Sequence, residues 1–442
     1  MKYLFYTFLL VIIGAFAALE YKTLQAPNLQ PATIALENVA VSSDAIIHLA
    51  QAVQCATNSY TDRIDSTELR KLHTLIDTTF PLCRTKMQQT VVDSFSLLYK
   101  WRGKDTTLPP IILLAHLDVV PVEPATFNLW QQPPYSGVLK DGYLWGRGTL
   151  DDKMSVFGIL EAAEMLLKQD YQPKQTIYLA FGHDEEVGGK KGAMAIVNYL
   201  DSVEQVHNAT VLDEGMIVLE NALPGLQQPV GLIGIAEKGY VNLRLKATTN
   251  SGHSSMPPDR TAIGLLSEAI SALEKHPCDP QLCLPVNQLL DYTQTEMDFP
   301  YSLIMVNRWL TEPLLKMQFL KKPQTAALLR TTTAPTIYNA GIKDNVLPRE
   351  ATAIVNFRIL PGETVDSVVA HAKRVLKGID VEIAVQEGTG ENPSSVTAVN
   401  TKMFAQLGSL IRSTFKQALV APALVIGATD SRHYEKIAKN TF

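Results

Sequence analysis

Four uninterrupted apolar runs in this chain are each followed by residues that can bind a metal ion. The runs and their followers are 111–115 before His116 and Asp118, 176–182 before Asp184, Glu185 and Glu186, 209–212 before Asp213, and 423–427 before Asp430 and His433. Short aliphatic runs without polar alternation are typical of strands buried on both faces, as in a parallel sheet covered by helices. Because functional residues of such sheets collect where the strands end, we predict one site built from four strand ends.

The pattern between these runs predicts an α/β fold with a second, inserted domain. Apolar spacing predicts amphipathic helices over 42–55 and 66–80, and helices and strands then alternate through Leu219. From 240 to 248 apolar and polar residues alternate, which predicts an antiparallel strand with one solvated face, and 351–360 is its expected partner. We therefore predict a mainly parallel-sheet catalytic domain (41–238 and 384–442) with an inserted α+β lid domain at 239–383.

The first 40 residues predict a signal or membrane-anchor segment and a tether. Lys2 precedes an apolar stretch over 4–19, about 16 residues and short of the roughly 20 that span a bilayer. Ala15 and Ala17 form a small-x-small pattern, so a cleaved secretory signal, an uncleaved anchor and a buried core helix all remain open. Residues 23–38 resemble a tether, and the folded pattern begins near Val41. The first two alternatives predict a secreted, periplasmic or membrane-anchored enzyme whose catalytic domain lies outside the cytoplasm.

Composition narrows the class of protein. A length of 442 residues predicts two or three domains, and an apolar content of 46% is enough for a large core. A net charge of −5 without a basic run argues against a nucleic-acid partner. Cys278 and Cys283 pair only in an oxidising compartment, and two buried thiols are the alternative.

The residue types at the strand ends suit a site with two divalent ions. Such a site needs one carboxylate that bridges ions about 3.5–4 Å apart, and Asp151, in the glycine-containing loop 146–153, is the candidate. His116 and Asp118 point the same way in an extended chain, so Asp118 can hold the second ring nitrogen of His116. Adjacent Glu185 and Glu186 cannot both face one ion, so one binds metal and the other serves as general base.

Charge and ligand type indicate the metal. Two divalent ions carry four positive charges, and three negative charges come from Asp151, Glu186 and Asp213. The site therefore keeps about one positive charge, which lowers the pKa of the attacking water. Oxygen and imidazole ligands without thiolate favour two Zn²⁺ ions, and Mn²⁺ or Co²⁺ is also accommodated. Taken alone, a lone histidine is more often a core residue and an acidic turn more often solvated. The coincidence of four acidic strand ends favours the site.

Six motifs in the order HLDVVP, GRGTLDDK, DEEVGG, LDEG, SGHSSMP and TDSRHY are similar to those of the M20 metallopeptidases. The resemblance is closest to the branch of carboxypeptidase S and the N-fatty-acyl-amino-acid synthase/hydrolases, and it runs from about Ser42 to the end of the chain. It implies a zinc-peptidase catalytic domain with a cocatalytic zinc pair and an inserted lid domain.

The resemblance also implies residue roles. One zinc is expected on His116 and Asp213 and the other on Glu186 and His433, with Asp151 between them. Glu185 is expected to accept the proton, and Asp118 to orient His116. In the lid, His253 is expected at the oxyanion, and Asn345 and Arg358 at the substrate backbone or carboxylate. For Arg358 an exposed strand arginine is the alternative.

Two departures from the family pattern stand out. Asp184, with His183 before it, occupies a position where the family often has Thr or Ser. The family also continues beyond the equivalent of Phe442 with a strand and a closing helix, so we expect a C-terminally truncated second part of the catalytic domain.

The expected function is zinc-dependent hydrolysis of an amide, in a peptide or an N-acyl amino acid, next to a free carboxylate. Reversible synthesis and hydrolysis of N-fatty-acyl amino acids is the second hypothesis, since it uses the same metal chemistry. A non-catalytic binding protein is the third, and the intact acidic set argues against it. The expected partners are small substrates and, through residues 4–19, a membrane.

Overall fold

A computed structural model of the chain describes residues 2–36, 41–215 and 217–442. The chain forms two compact units. We call residues 41–215 with 429–442 the six-strand unit, and residues 2–36 with 217–428 the four-strand unit, after the largest sheet in each. The segment 239–383, predicted as an insertion, lies within the four-strand unit, and the predicted domain boundaries stay a prediction.

The helices and strands of both units are given in chain order. The α-helices are α1 (Lys2–Leu24), α2 (Asp44–Val53), α3 (Ser66–Thr79), α4 (Pro81–Lys86), α5 (Lys153–Lys168), α6 (Ala193–Ser202), α7 (Ala262–Lys275), α8 (Leu284–Thr293), α9 (Tyr301–Val306), α10 (Arg308–Phe319), α11 (Pro323–Leu329), α12 (Val365–Val375) and α13 (Lys402–Thr414). The strands are β1 (Gln88–Val92), β2 (Ser96–Trp101), β3 (Ile111–His116), β4 (Val138–Lys140), β5 (Tyr143–Trp145), β6 (Ile177–Gly182), β7 (Ala209–Leu212), β8 (Val218–Leu219), β9 (Val230–Glu237), β10 (Gly239–Thr248), β11 (Gly252–His253), β12 (Thr332–Ala340), β13 (Val346–Leu347), β14 (Glu350–Ile359), β15 (Glu382–Val385), β16 (Leu419–Val425) and β17 (Ala438–Thr441).

The large sheet of the six-strand unit has the order β1-β2-β6-β3-β7-β17. Strand β3 lies parallel to both β6 and β7, and β17 lies parallel to β7, whereas β1 and β2 are antiparallel additions at one side. Three of the four apolar runs are therefore confirmed as neighbouring parallel strands. Their carboxyl ends meet at one edge of the sheet, and this places the acidic loops together.

The fourth run lies in a different sheet from the other three. Strand β16 contains most of this run and pairs with β9 in a separate three-stranded sheet of the four-strand unit, in the order β16-β9-β8. A buried aliphatic run predicts burial on both faces, but it does not determine which sheet the strand joins. The neighbour of β7 is instead β17, whose sequence AKNT carries no apolar signal.

Apolar side chains cover both faces of the large sheet, as expected for non-alternating strands. One core packs α3 and α5 against the sheet through residues such as Leu72, Phe157 and Leu160. The other core, on α6 and the turn Asp430–Lys436, includes Ile196, Leu200 and Tyr434. These two layers cover the sheet from which the functional loops extend.

The four-strand sheet confirms the predicted antiparallel pair. Strand β10 pairs with β14 from Gly239↔Ile359 to Thr248↔Glu350, and the sheet order is β12-β14-β10-β15. Its buried face packs on α7 and α12, and the alternation seen in the sequence matches the alternating burial of both strands. The cysteines of the chain are free and buried, including Cys278 and Cys283.

The segment predicted as a tether is bound to the four-strand unit. Gln30 forms hydrogen bonds through its side-chain amide with both the N–H (2.8 Å) and the carbonyl (3.0 Å) of Val420, on β16. The guanidinium of Arg412 donates to the carbonyl of Pro31, and Ile34 N donates to Ser413 Oγ at 2.8 Å. The expectation that folding begins near Val41 is therefore wrong for residues 28–34. Residues 37–40, at the end of the predicted tether segment, lie outside the described residues.

Candidate metal centre and active site

His116, the last residue of β3, lies at the centre of the candidate site. It is buried, and its Nε2 is 2.9 Å from Asp151 Oδ1 and 3.2 Å from Glu214 Oε1. One ligand atom from each of these three residues lies within 4.8 Å of the others. One imidazole and two carboxylates at this spacing form a donor set suited to a divalent ion.

The loop between β5 and α5 delivers Asp151. Gly146 and Gly148 both have positive φ, and a Cβ on Gly148 would lie 2.7 Å from the Val119 side chain, so this turn requires glycine. The Asp151–Asp152 peptide bond is cis. The carboxylate of the next residue, Asp152, accepts from the His116 N–H at 3.2 Å and makes no cap hydrogen bond to α5.

Asp118 holds both the histidine and the acidic turn. The His116 Nδ1 lies 3.0 Å from the Asp118 carbonyl and 3.3 Å from its carboxylate. The same carboxylate accepts hydrogen bonds from the N–H groups of Glu185 and Glu186, both at 3.2 Å, and from Ser59 Oγ at 2.5 Å. Asp118 therefore fixes the ring of His116 and the backbone that carries the glutamates. Ser59 has no motif in the sequence that indicates this contact.

The two glutamates differ in environment. Glu186 Oε1 accepts from Val120 N at 3.0 Å. Burial, with the Glu214 and Asp118 carboxylates adding to it, raises the pKa of Glu185 to about 8. Burial and the nearby Asp151 raise the pKa of Glu186 to about 7. Glu185 therefore has the higher proton affinity of the pair.

Asp213, the ligand that the family resemblance implies, and its neighbour Glu214 make different contacts. The carboxylate of Asp213 accepts from Glu214 N at 2.9 Å and from Ser431 N at 2.7 Å. Its neighbour Glu214 is the carboxylate that contacts His116. Sequence reasoning missed Glu214, although its place directly after Asp213 at a strand end carried the same signal.

His433 lies in the turn Asp430–Lys436, with its Nε2 3.1 Å from the Gly188 carbonyl. Among the described residues, the group of mutually close ligand atoms around His116 does not include His433. Asp430 is buried beside it, and burial together with Asp213 and Glu185 raises the pKa of Asp430 well above its usual range. A Cβ on Gly189 would lie 2.1 Å from Asp430 Oδ1, so this glycine admits the carboxylate.

The carboxyl groups around His116 favour bound cations. Burial opposes protonation of His116, but hydrogen bonds with Asp118, Asp151 and Glu214 prevail and raise its pKa well above the usual value. Burial, and next Glu214, raises the pKa of Asp152 to about 8. So many mutually repelling carboxyl groups around one imidazole are stabilised by cations, and the donor set therefore fits divalent metal ions.

Two of the three predicted lid residues lie together in the four-strand unit. Strand β11 pairs with β13 so that His253 faces Val346, and Ser254 N donates to the Asn345 carbonyl at 3.1 Å. The His253 Nδ1 lies 2.8 Å from Ser255 Oγ, and the ring is exposed. Arg358 is the second-last residue of β14, and its guanidinium lies 4.8 Å from the centre of the Tyr240 ring.

Comparison with known proteins identifies a family and several relatives. The sequence profile of the family described as peptidase family M20/M25/M40 matches residues 112–442. The chain is 40% identical to a probable carboxypeptidase S-like 2 of Dictyostelium discoideum, covering 98% of this chain and 85% of the relative. It is also 40% identical to the N-fatty-acyl-amino acid synthase/hydrolase PM20D1 of Xenopus tropicalis, covering 89% of this chain and 77% of the relative.

Solved structures show the same fold. The M20 family metallo-carboxypeptidase Sso-CP2 of Sulfolobus solfataricus aligns with a TM-score of 0.65 at 18% identity, covering 90% of each chain. The YXEP protein of Bacillus subtilis, described as a dinuclear metal binding peptidase of the M20 family, aligns with a TM-score of 0.53 at 14% identity, covering 90% of this chain and 88% of that one.

Proposed function

Because the chain belongs to peptidase family M20/M25/M40, we propose that it is a two-metal hydrolase that cleaves an amide bond next to a free carboxylate. The observation that carries this proposal is the meeting of His116, Asp151 and Glu214 at the ends of the parallel strands. The similarity to carboxypeptidase S-like and PM20D1 proteins supports an enzyme of this kind.

The metal set combines the structure with the family resemblance. We place one ion on His116, Asp151 and Glu214, and a second on Glu186 with His433, as the resemblance implies. Zinc suits this mixture of oxygen and imidazole ligands. When bound, the metal pair polarises the amide carbonyl and lowers the pKa of water.

The protein residues divide the remaining work. Glu185 accepts the proton of the attacking water and passes it to the leaving amine, as a carboxylate next to the metal ligands can. The Asp118 carboxylate accepts a hydrogen bond from the Glu185 N–H and so holds Glu185 in place. Asp118 also keeps the ring of His116 in one orientation. In the four-strand unit, His253 is proposed to donate to the oxyanion, and Asn345 and Arg358 to bind the substrate backbone and carboxylate.

Reversible synthesis and hydrolysis of N-fatty-acyl amino acids is a second candidate. The PM20D1 relatives are named for both directions, and their similarity extends over 89% of this chain. Condensation is the reverse of the same reaction, so it needs the same proton relay through Glu185. The two candidates therefore differ in the length of the acyl group that the enzyme prefers in its substrate.

A substrate panel tests the proposal. Metal-loaded protein is incubated with dipeptides and with N-acyl amino acids of increasing chain length, beside matched amides that lack the free carboxylate. We expect hydrolysis only of substrates with the carboxylate. Preference for long acyl chains, with synthesis from free fatty acid and amino acid, would select the second candidate. Equal rates on the amides without a carboxylate would contradict both.

The N-terminal helix is the basis for a proposed location. Helix α1 is long and apolar enough to cross a membrane, judged by length and composition. It also contacts the folded chain, since Asn307 Nδ2 lies 3.2 Å from Thr23 Oγ1 and 3.4 Å from the Leu19 carbonyl. These contacts favour an anchor that is retained over a signal that is removed. We place the catalytic residues outside the cytoplasm.

A further inference from the structure

Helix α10, in the four-strand unit, has an apolar exposed face. The exposed fractions are 68% for Trp309, 55% for Leu310, 43% for Leu314 and 54% for Met317, and the exposed Pro313 lies among them. These positions repeat at spacings of three and four residues, so they form one stripe along the helix. A helix that faces water normally presents polar side chains on this side.

The opposite face of α10 is already occupied by the core. Leu315 and Phe319 are buried against α8 and α9 residues such as Val286 and Met305. The polar side chains between the two faces pair with each other, as Lys316 Nζ lies 2.6 Å from Glu312 Oε1. The fold therefore uses one apolar face of α10 internally and leaves a second one exposed.

Helix α1 ends at this same stripe. The Nζ of Lys22 lies 5.6 Å from the centre of the Trp309 ring, and Asn307, just before α10, donates to the end of α1. The residues after α1 are then held to the unit by Gln30, whose side chain bonds the Tyr292 carbonyl at 2.6 Å in addition to β16. The end of a helix of membrane-spanning length therefore lies directly beside the exposed stripe.

From these contacts we infer that α10 docks on the surface of the bilayer that α1 enters. This inference rests on the proposed anchoring by α1. Trp309 lies beside the end of α1, where a membrane-spanning helix would leave the hydrocarbon, and tryptophan is favoured at that depth. Leu310, Leu314 and Met317 would enter the interface as the apolar face of an amphipathic helix does. Lys321 and Lys322 follow at the exposed end of α10, where they can pair with the phosphate groups that lipid headgroups of either leaflet carry.

A cavity beside the stripe could receive a molecule from the bilayer on which α10 docks. It has a volume of about 630 Å³ and is lined mainly by apolar side chains, including Leu223, Leu226 and Ile304. Leu314 belongs both to this lining and to the exposed stripe, and Lys321 and Lys322 also line it. An apolar chain with an acidic head that is dissolved in the bilayer would therefore find both an apolar wall and positive charge next to α10.

Site-specific labelling of the full chain tests the docking. Met317→Cys carries an environment-sensitive fluorophore; selective labelling is feasible because the natural cysteines are buried. The matched control is Val203→Cys, at an exposed apolar position directly after α6 in the six-strand unit. Both labelled proteins are bound to vesicles of phosphatidylcholine with a minority of phosphatidylserine. We expect a blue shift and quenching by lipids spin-labelled near the headgroup at position 317, with no change at position 203.

Three results would overturn the inference. The first is an unchanged label at 317 while the chain floats with the vesicles, because α1 would then anchor the protein without α10. The second is failure of the chain to bind vesicles. The third is a blue shift at 317 before lipid is added, together with a dimer in solution, because a second copy would then cover the stripe. Amide hydrolysis measured on the same samples shows separately whether the proposed enzymatic function fails.

Discussion

At the residue scale, two neighbouring pairs of carboxylates differ in their contacts and environment. Glu185 and Glu186 are adjacent, yet Glu186 accepts from Val120 N, whereas Glu185 has the more strongly raised pKa. Asp213 and Glu214 are adjacent too, and one contacts Ser431 whereas the other contacts His116. Successive side chains diverge, so the two members of each pair take different partners.

Glu185→Gln should lower kcat by at least about a hundredfold and leave the metal content unchanged, since it removes a general base but no ligand. Metal content is measured on the purified variant beside the rate on the preferred substrate. Glu186→Gln is the control, and it should lose metal. Loss of metal from Glu185→Gln would reverse the two roles.

Glu214→Gln should weaken metal binding by at least about tenfold, since even residues that only support a ligand contribute that much. Asp213→Asn should keep the ion at His116, because its carboxylate contacts the N–H groups of Glu214 and Ser431. Metal titration of both variants decides. Strong loss from Asp213→Asn with none from Glu214→Gln would favour the ligand implied by the family resemblance.

At the element scale, turns set the geometry of the site. The turn Glu185–Val187 is held by Asp118 at its start and closed by Gly188 and Gly189, both with positive φ. Asp184 binds the N–H groups of Lys191 and Gly192 at 2.9 and 2.7 Å, and so fixes the entry into α6. The departure from the family pattern at Asp184 therefore serves a local structural role.

Gly189→Ala should cost about 1–3 kcal/mol of unfolding free energy and reduce activity, since the new methyl group would overlap Asp430 Oδ1. Gly188→Ala is the matched control: its φ is also positive, but no atom lies within 4 Å of the new Cβ. It should cost about 1 kcal/mol through backbone strain and keep the metal content. Equal losses of metal and activity in both variants would show that Asp430 is not the cause.

The bound N-terminal segment makes a separate prediction. Gln30→Met should lower the free energy of unfolding by about 1–3 kcal/mol, because the N–H and carbonyl of Val420 lose their partner. Gln25→Met makes the same change at an exposed position and should be nearly neutral. Urea unfolding of both variants measures the difference. A neutral Gln30→Met would mean that residues 28–34 behave as the tether predicted from the sequence.

At the scale of the whole molecule, metal and folding are coupled through charge. Without metal, the pKa of Glu186 is about 7, and the pKa values of Glu185 and Asp152 are about 8, all above the usual carboxyl range. The folded protein then binds more protons than the unfolded chain near neutral pH. Stability is present at acid pH and is lost as the pH rises through these values.

Chelated protein should therefore melt at a lower temperature at about pH 8 than at about pH 6, and added zinc should remove most of this dependence. The range stops near pH 8 because burial lowers the pKa of both Lys153 and Lys238 to about 8, and their deprotonation acts in the opposite direction. Thermal melts across this range, with and without metal, provide the measurement. A metal-free protein that gains stability as the pH rises from 6 to 8 would contradict it.

The amino-acid sequence by itself determined the elements whose signal is local. Strands β3, β6 and β7, the β10–β14 pair and the position of His116 at a strand end all follow from apolar periodicity and from the residue types that come next. The apolar pattern of each short segment predicts its burial, so these elements could be predicted without knowledge of tertiary contacts. The family motifs added the same set of strand ends.

Only the tertiary structure decided the choices that depend on distant partners. Glu214 contacts His116, and Asp213 accepts a hydrogen bond from Ser431, 218 positions away in the chain. Strand β16 joins β9 and β17 joins β7, although the sequence makes β16 the stronger candidate for the main sheet. Residues 28–34 bind α13 and β16, and Gln30 contacts Val420, 390 positions later in the chain. Each of these outcomes depends on which backbone groups remain unpaired once the rest of the chain has folded, and no local pattern carries that information.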